Sequence, residues 1–181
     1  MNQRHVVLTA VGPDRPGIVK AFSGAIHAAG CNLEDSRMAV LAGEFALILL
    51  FSGPIEAALQ AERTTTALAE SLEFRIALKD TRPPPAGPTQ RRYRVRLAGA
   101  DQPGIVHRIG DLLAGHGANI ASLESRLTHA AFSGTPVFNL DAEIELPAAA
   151  AIATLVAQLE GLGDELALQI DLDPLDQGFL G

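Results

Sequence analysis

The sequence predicts an α+β protein made of two tandem copies of one βαββαβ unit, and three observations predict it. First, Gly12-Pro13-Asp14-Arg15-Pro16-Gly17-Ile18-Val19 returns as Gly99-Ala100-Asp101-Gln102-Pro103-Gly104-Ile105-Val106, at a constant offset of 87 residues. Second, the register survives downstream, with Gly30 falling on Gly117 and Asn32 on Asn119, so that eight of the 21 positions from 12 to 32 are identical. The identities are mostly Gly, Pro, Asp and Asn, residues that fix backbone shape, where a generic core would preserve only hydrophobicity. Third, the apolar periodicity around each copy gives strand, helix, strand, strand, helix, strand.

Taken in order, His5–Val11 reads as the first strand and the repeated motif as its turn into a helix. Ile18, Val19, Phe22, Ala25, Ile26 and Ala29 recur with helical spacing. Asp14 and Asp101 suit the cap region, and Pro16 and Pro103 a first helical turn, where the missing amide hydrogen costs nothing. Residues 32–40 read as a strand, Ala42-Gly43 as a turn, and Phe45–Phe51 as a buried strand stopped by Ser52-Gly53-Pro54. A helix is expected over Ile55–Leu72, with Ile55, Leu59, Thr66, Ala69 and Leu72 as an imperfect stripe, and a closing strand over Phe74–Leu78. This is the split βαβ of the ferredoxin-like fold. The second copy repeats it: a strand over Tyr93–Ala98, then a helix carrying Ile105, Val106, Ile109, Leu112 and Leu113. Central strands follow at about 119–128 and 136–145, joined by a longer loop, Ala130 to Thr135. A helix with Ile152, Leu155, Val156, Leu159 and Leu162 on one face is expected to end at Gly161-Leu162-Gly163, before a last strand over Leu166–Leu172. The expected organisation is a unit over 1–80, a proline-rich spacer over 81–90, a unit over 91–174 and a loose tail over 175–181.

Composition bounds the function. With 48% hydrophobic and 19% charged residues, the chain is that of a soluble globular protein whose cores rest on Ile, Leu, Val and Ala, aromatics being only 4%. A net charge of -7 argues against gripping nucleic acid directly, since that affinity comes from neutralising phosphates. The one basic cluster, Arg82, Arg91, Arg92, Arg94 and Arg96, reads as a solvated face. The single cysteine, Cys31, excludes an internal disulfide, and Ala118 at its repeat position makes it small and buried rather than reactive. Met1-Asn2-Gln3-Arg4 runs into only a short apolar segment, and the longest apolar run, Phe45 to Phe51, is too short to cross a membrane. A cytoplasmic protein without membrane contact is expected.

No catalytic constellation emerges. His5, His27, His107, His116 and His129 form no metal-ligand spacing, and neither a nucleophile elbow nor a phosphate-binding glycine loop with lysine appears. Carboxylate pairs such as Glu143 and Glu145 read as solvated strand positions. No enzyme, metal or cofactor is expected. What repeats is a turn, a helix start and one amide side chain. Bare amides at a helix N-terminus hold a carboxylate or phosphate, and Asn32 or Asn119 supplies both a donor and an acceptor. The same residues also suit a well-capped turn with no ligand, and both readings stand at this point. Sheets with open edges further predict internal pairing or a homo-oligomer.

The pattern Asp-x-Pro-Gly-Ile-Val, followed by Gly-x-Asn-[Ile/Leu] in a βαββαβ unit, resembles the ACT domain, a small regulatory module that commonly binds amino acids. The resemblance covers essentially the whole chain. It implies a ligand loop at Gly12, Asp14, Arg15, Pro16 and Gly17 with Asn32 across from it. In the second copy it implies Gly99, Asp101, Gln102, Pro103, Gly104 and Asn119. Arg15 against Gln102 means the two sites need not bind alike. Two such domains, with Asn32-Leu33-Glu34-Asp35-Ser36-Arg37-Met38 in the first, are similar to accessory repressors that act on a separate DNA-binding activator, with glycine or a similar small amino acid as signal. The alternative is a ligand-free ACT module that mediates protein–protein contacts. ACT domains also precede the catalytic domains of some enzymes, but no such domain is recognisable after residue 174.

Overall fold

The computed structural model describes residues 3–82, 90–129 and 134–175, and the chain divides into two compact units, Met1–Pro85 and Ala86–Gly181. The first runs β1 (Gln3–Pro13), α1 (Ile18–Ala28), β2 (Asn32–Leu41), β3 (Glu44–Pro54), α2 (Ile55–Ser71) and β4 (Arg75–Thr81). Its sheet has the order β2-β3-β1-β4 with antiparallel neighbours throughout. The second runs β5 (Gln90–Ala100), α3 (Ile105–Gly115), β6 (Asn119–His129), β7 (Pro136–Pro147), α4 (Ile152–Leu166) and β8 (Leu168–Pro174), in the order β6-β7-β5-β8. Each unit is therefore the ferredoxin-like α+β arrangement that the periodicity predicted. The spacer prolines, residues 130–133 of the longer loop and tail residues 176–181 lie outside the described residues.

In each unit one face of the sheet is covered by the two helices and the other is open. Val6, Leu8, Ala10, Leu47, Leu49 and Phe51 point inward against Ile18, Phe22 and Ile26 of α1, with the Phe22 and Phe74 rings 5.6 Å apart. Ile105, Ile109 and Leu113 of α3 repeat that spacing over Val95, Leu97, Leu140 and Ile144. The repeated Gly30 and Gly117 finish these helices. Both have positive φ, 85° and 68°. The amide of Gly30 donates to His27 O and that of Cys31 to Ile26 O, as Gly117 and Ala118 do to Ala114 O and Leu113 O. This is the Schellman closure, which needs a left-handed residue at that one position. Cys31 follows it, buried, with its thiol pKa pushed up by desolvation. A Cβ on the neighbouring Gly53 would lie 2.8 Å from Cys31 Sγ, so the sulfur fills the space that a side chain there would take.

Four expectations need correction. β3 does not stop at Ser52-Gly53-Pro54, because those residues pair with His5, Arg4 and Gln3 across the sheet. The last strand of each unit starts later than expected, at Arg75 and Leu168, and runs on to Thr81 and Pro174. α2 buries Ala58, Ala61, Thr65 and Ala69, leaving Ile55 exposed; its sheet-facing side is a row of small residues that lets it lie close. α4 runs through Gly161 and Gly163 to Leu166, although each glycine costs about 1 kcal/mol of helix propensity. Burial of Leu159, Leu162 and Gly163 overrides that cost. At Gly163 a Cβ would meet Leu168 O at 2.7 Å, so close packing on β8 requires glycine there.

Candidate functional site

The repeated turn is shaped by its backbone. Gly17 has φ 95° and ψ −4°, and Gly104 has φ 88° and ψ 3°. These are the angles of the third position of a type II turn, with proline favoured one residue earlier. Pro16 and Pro103 therefore precede their helices, which start at Ile18 and Ile105, instead of sitting in the first helical turn. Asp14 and Asp101 do not cap: neither helix takes a side-chain cap hydrogen bond or has an acidic residue in its first turn. Gly17 O accepts from the Ala21 amide and Gly104 O from the Arg108 amide, each at 2.9 Å. The amides of the three residues between have no acceptor within the helix, which leaves a concentration of partial positive charge at each exposed turn.

The other motif residues divide sharply. Gly12 and Gly99 are packing positions: a Cβ on Gly12 would meet the Phe74 ring at 2.5 Å, and one on Gly99 would meet Leu168 Cδ2 at 2.5 Å and Ala167 O at 2.9 Å. Asp14 is exposed and uses its amide to hold the β2–β3 hairpin, donating to Gly43 O at 3.0 Å. Arg15 donates to Leu72 O at 3.2 Å and pairs with Glu73 at 3.0 Å, whereas Gln102 donates to Leu166 O at 2.7 Å. Both side chains thus tie the turn to the end of the second helix of their own unit. The second unit adds Arg108, which donates to both oxygens of Glu165 at 2.8 and 2.5 Å and holds that carboxyl below its ordinary range. The Arg/Gln difference is two solutions to one bracing task.

Asn32 does not lie across from the turn of its own unit. It pairs with Ser52, which pairs with His5 at the start of β1, seven residues before Gly12. At about 3.3 Å per residue that is about 23 Å along the strand. Asn119 is placed the same way, opposite Glu145 and hence Arg92, and it donates to Glu145 Oε2 at 3.3 Å. Asn32 instead lines a groove of about 410 Å³ with Lys20, Ser23, His27 and Leu33.

Sequence reasoning missed a polar cluster at that end of the first sheet. A bulge between Leu33 and Asp35 leaves Glu34 as the extra residue. Its Oε1 accepts a hydrogen bond from the Ser52 hydroxyl and lies 3.6 Å from His5 Nε2. The hydroxyl gives its proton to the carboxylate and not to the imidazole, and Ser52 is buried, so the arrangement braces the bulge and presents no nucleophile. A bulge is the signal that could have located it, and alternation alone does not reveal one. No cluster of three or more metal-ligating side chains occurs among the described residues. Of the arginines expected on a solvated face, Arg92 and Arg94 each reach Glu143 at 2.8 Å, Arg96 pairs with Asp173, and Arg91 donates to Ala150 O at 2.8 Å.

Comparison with known proteins places this geometry. The ACT-domain family pattern matches residues 4–79 and, separately, residues 93–160. The glycine cleavage system transcriptional repressors of Escherichia coli (strain K12) and Shigella flexneri are each 34% identical over 168 residues, covering 93% of this chain and 88% of theirs. A crystal structure of an unknown protein from Galdieria sulphuraria superimposes with a TM-score of 0.82 and 31% identity over 96% of this chain and 99% of that one. A second crystal structure, provisionally assigned as a glycine cleavage system transcriptional repressor, has a TM-score of 0.72 and 26% identity over 96% and 98%. The chain belongs to the ACT-domain family, as a tandem pair similar over nearly its whole length to the glycine cleavage system transcriptional repressor.

Proposed function

We propose that this chain is a non-enzymatic, amino-acid-responsive regulator, with glycine as the first candidate signal, that acts in the cytoplasm through a separate DNA-binding transcription factor. The observation that carries the reading is that one exposed turn, with helix-start amides that no side chain caps, is built twice in a chain similar to the glycine cleavage system transcriptional repressor. The net charge of -7 fits a protein that leaves DNA contact to its partner. In this reading the ligand's carboxylate is held by the helix-start amides that follow Gly17 and Gly104, and the exposed Asp14 and Asp101 carboxylates hold its ammonium group. Gly12, Gly99, Arg15 and Gln102 hold the turn in shape, and Asn32 and Asn119 act apart from the turn of their own unit. The unit limits read from the sequence, 1–80 and 91–174, leave out Thr81 at the end of β4 and Gln90 at the start of β5.

Glycine has five heavy atoms, and about 1.5 kcal/mol per atom at best limits affinity to the micromolar range, so millimolar sensing is the expectation. The test is thermal unfolding of the full chain against each amino acid at tens of millimolar. A tenfold excess over a millimolar dissociation constant adds about 1.4 kcal/mol, a shift of a few degrees. Asp14→Ala combined with Asp101→Ala should abolish the shift and leave the unliganded Tm unchanged. Gly17→Val is a poor probe, since a β-branched residue at φ 95° is strained whether or not a ligand binds. Absence of a shift with every amino acid would favour a ligand-free interaction module, a reading that the apolar open face of the first unit supports independently.

A further inference from the structure

The two open sheet faces, related by the internal repeat, carry opposite chemistry. In the second unit the register sets Arg94 beside Glu143 and Arg96 beside Asp141, and Glu143 binds two arginines. That face is built for water. At the same places in the first unit stand Val7 beside Leu50 and Thr9 beside Ile48, with Val11 beside Ala46 in the next row. Ile48 is 50% exposed and Val11 48%. One fold thus serves as its own control: the sheet does not need an apolar outer face, yet one copy has it.

The charges around this face are laid out asymmetrically. The row through Val7 and Leu50 ends at Lys79 on β4 and at Asp35 on β2. The row through Val11 and Ala46 ends at Arg75 and Ala39, and the row through Thr9 and Ile48 at Ala77 and Arg37. A twofold axis parallel to the strands, between β1 and β3, lays β4 of one copy over β2 of the other. Lys79 then stands over Asp35 twice, Val7 over Leu50 and Thr9 over Ile48, and no two cations meet. A twofold axis across the strands would instead set Arg75 over Lys79. Four strands at about 4.8 Å and about 30 Å of length give roughly 600 Å² per copy, the lower end of a specific interface.

We propose that the open face of the first unit is a self-complementary interface, occupied by the same face of a second copy of this chain in aligned sheet-on-sheet packing. The inference is independent of any amino-acid ligand. The test is sedimentation equilibrium of the full chain from about 1 to 200 μM. The unaltered chain should be a dimer. Thr9→Arg with Ile48→Asp, which transplants the pair that the second unit carries at these positions, should fold with a native circular dichroism spectrum and weaken dimerisation at least a hundredfold. Lys79→Glu alone should weaken it about tenfold, and adding Asp35→Lys should restore it. A chain that is monomeric throughout would overturn the proposal and assign the face to a different occupant. So would a dimer indifferent to the Thr9 and Ile48 changes, or a charge reversal that the second substitution fails to restore.

Discussion

Gly12 and Gly17 stand five positions apart in one motif and are glycine for different reasons. At Gly12 any Cβ collides with the Phe74 ring, and at Gly17 nothing lies within 4 Å, so only the positive φ demands glycine. Gly12→Ala should therefore lower the stability of the first unit by about 1–3 kcal/mol through overpacking, read as a reduced urea midpoint with unchanged slope. A midpoint within error of the original would show that Phe74 swings aside freely. That Gly17 fixes the backbone was legible in the sequence, because the repeat preserves it behind a proline at a matched offset; that Gly12 is instead a packing position was not. The work of Arg15 and Gln102 was not legible, since their acceptors sit at the far end of another helix. Nor was the distance from Asn32 to its own turn, which depends on a strand register that alternation does not specify.

Among the elements, the four-residue apolar spacing of α1 and α3 was read correctly at Ile18, Phe22, Ile26 and at Ile105, Ile109, Leu113, because one face of each is packed and the other wet. Val19 and Val106, read into the same stripes, are exposed. The face of α2 and the end of α4 were read less well for a shared reason. Close approach to the sheet selects alanine, threonine and glycine, residues that a pattern of large apolar side chains overlooks or counts as breakers. The helix ends behave oppositely, since Gly30 marks its own role through the repeat. Gly30→Ala would meet only Ala57 Cβ, at an ordinary 3.9 Å, so its cost is the left-handed conformation alone, about 1–2 kcal/mol. Hydrogen exchange should show the loss as faster exchange of the Cys31 amide, whose acceptor is Ile26 O at 3.2 Å. Unchanged exchange and an unchanged Tm would mean that the closure contributes nothing. α2 makes the same closure with Glu73 at φ 62°, so a non-glycine residue is tolerated there while its side chain pairs with Arg15.

At the scale of the whole molecule, two small cores fold under one net charge, and that charge governs the response to acid. Arg4 donating to Asp80, Arg94 donating to Glu143 and Arg108 donating to Glu165 all hold the carboxyl below its ordinary value. A carboxyl whose folded pKa is depressed favours the native state above its unfolded pKa and loses that contribution as pH falls through the folded value. Tm should thus decline from about pH 5 downward, as carboxyls reach their ordinary titration range. Added salt should flatten the decline, because these pairs are at least partly exposed and are screened. A Tm constant from pH 6 to 3 at low salt would show that the pairs contribute nothing. The repeat announced both units in the sequence, but it concealed how far the open faces had parted. The motif residues that match lie in the turn and helix cap, while the divergence lies on outward strand positions, where alternation records polarity without saying what meets it.

The position of Cys31 has a practical corollary for spectroscopy. Its sulfur packs beside Gly53, the residue is buried at the floor of the groove that Asn32 lines, and desolvation raises its pKa. The chain's one native thiol should therefore react with alkylating reagents more slowly than an exposed thiol at neutral pH. A spin label or fluorophore can be attached through one added surface cysteine without first replacing Cys31, and the labelled protein keeps every native side chain but one.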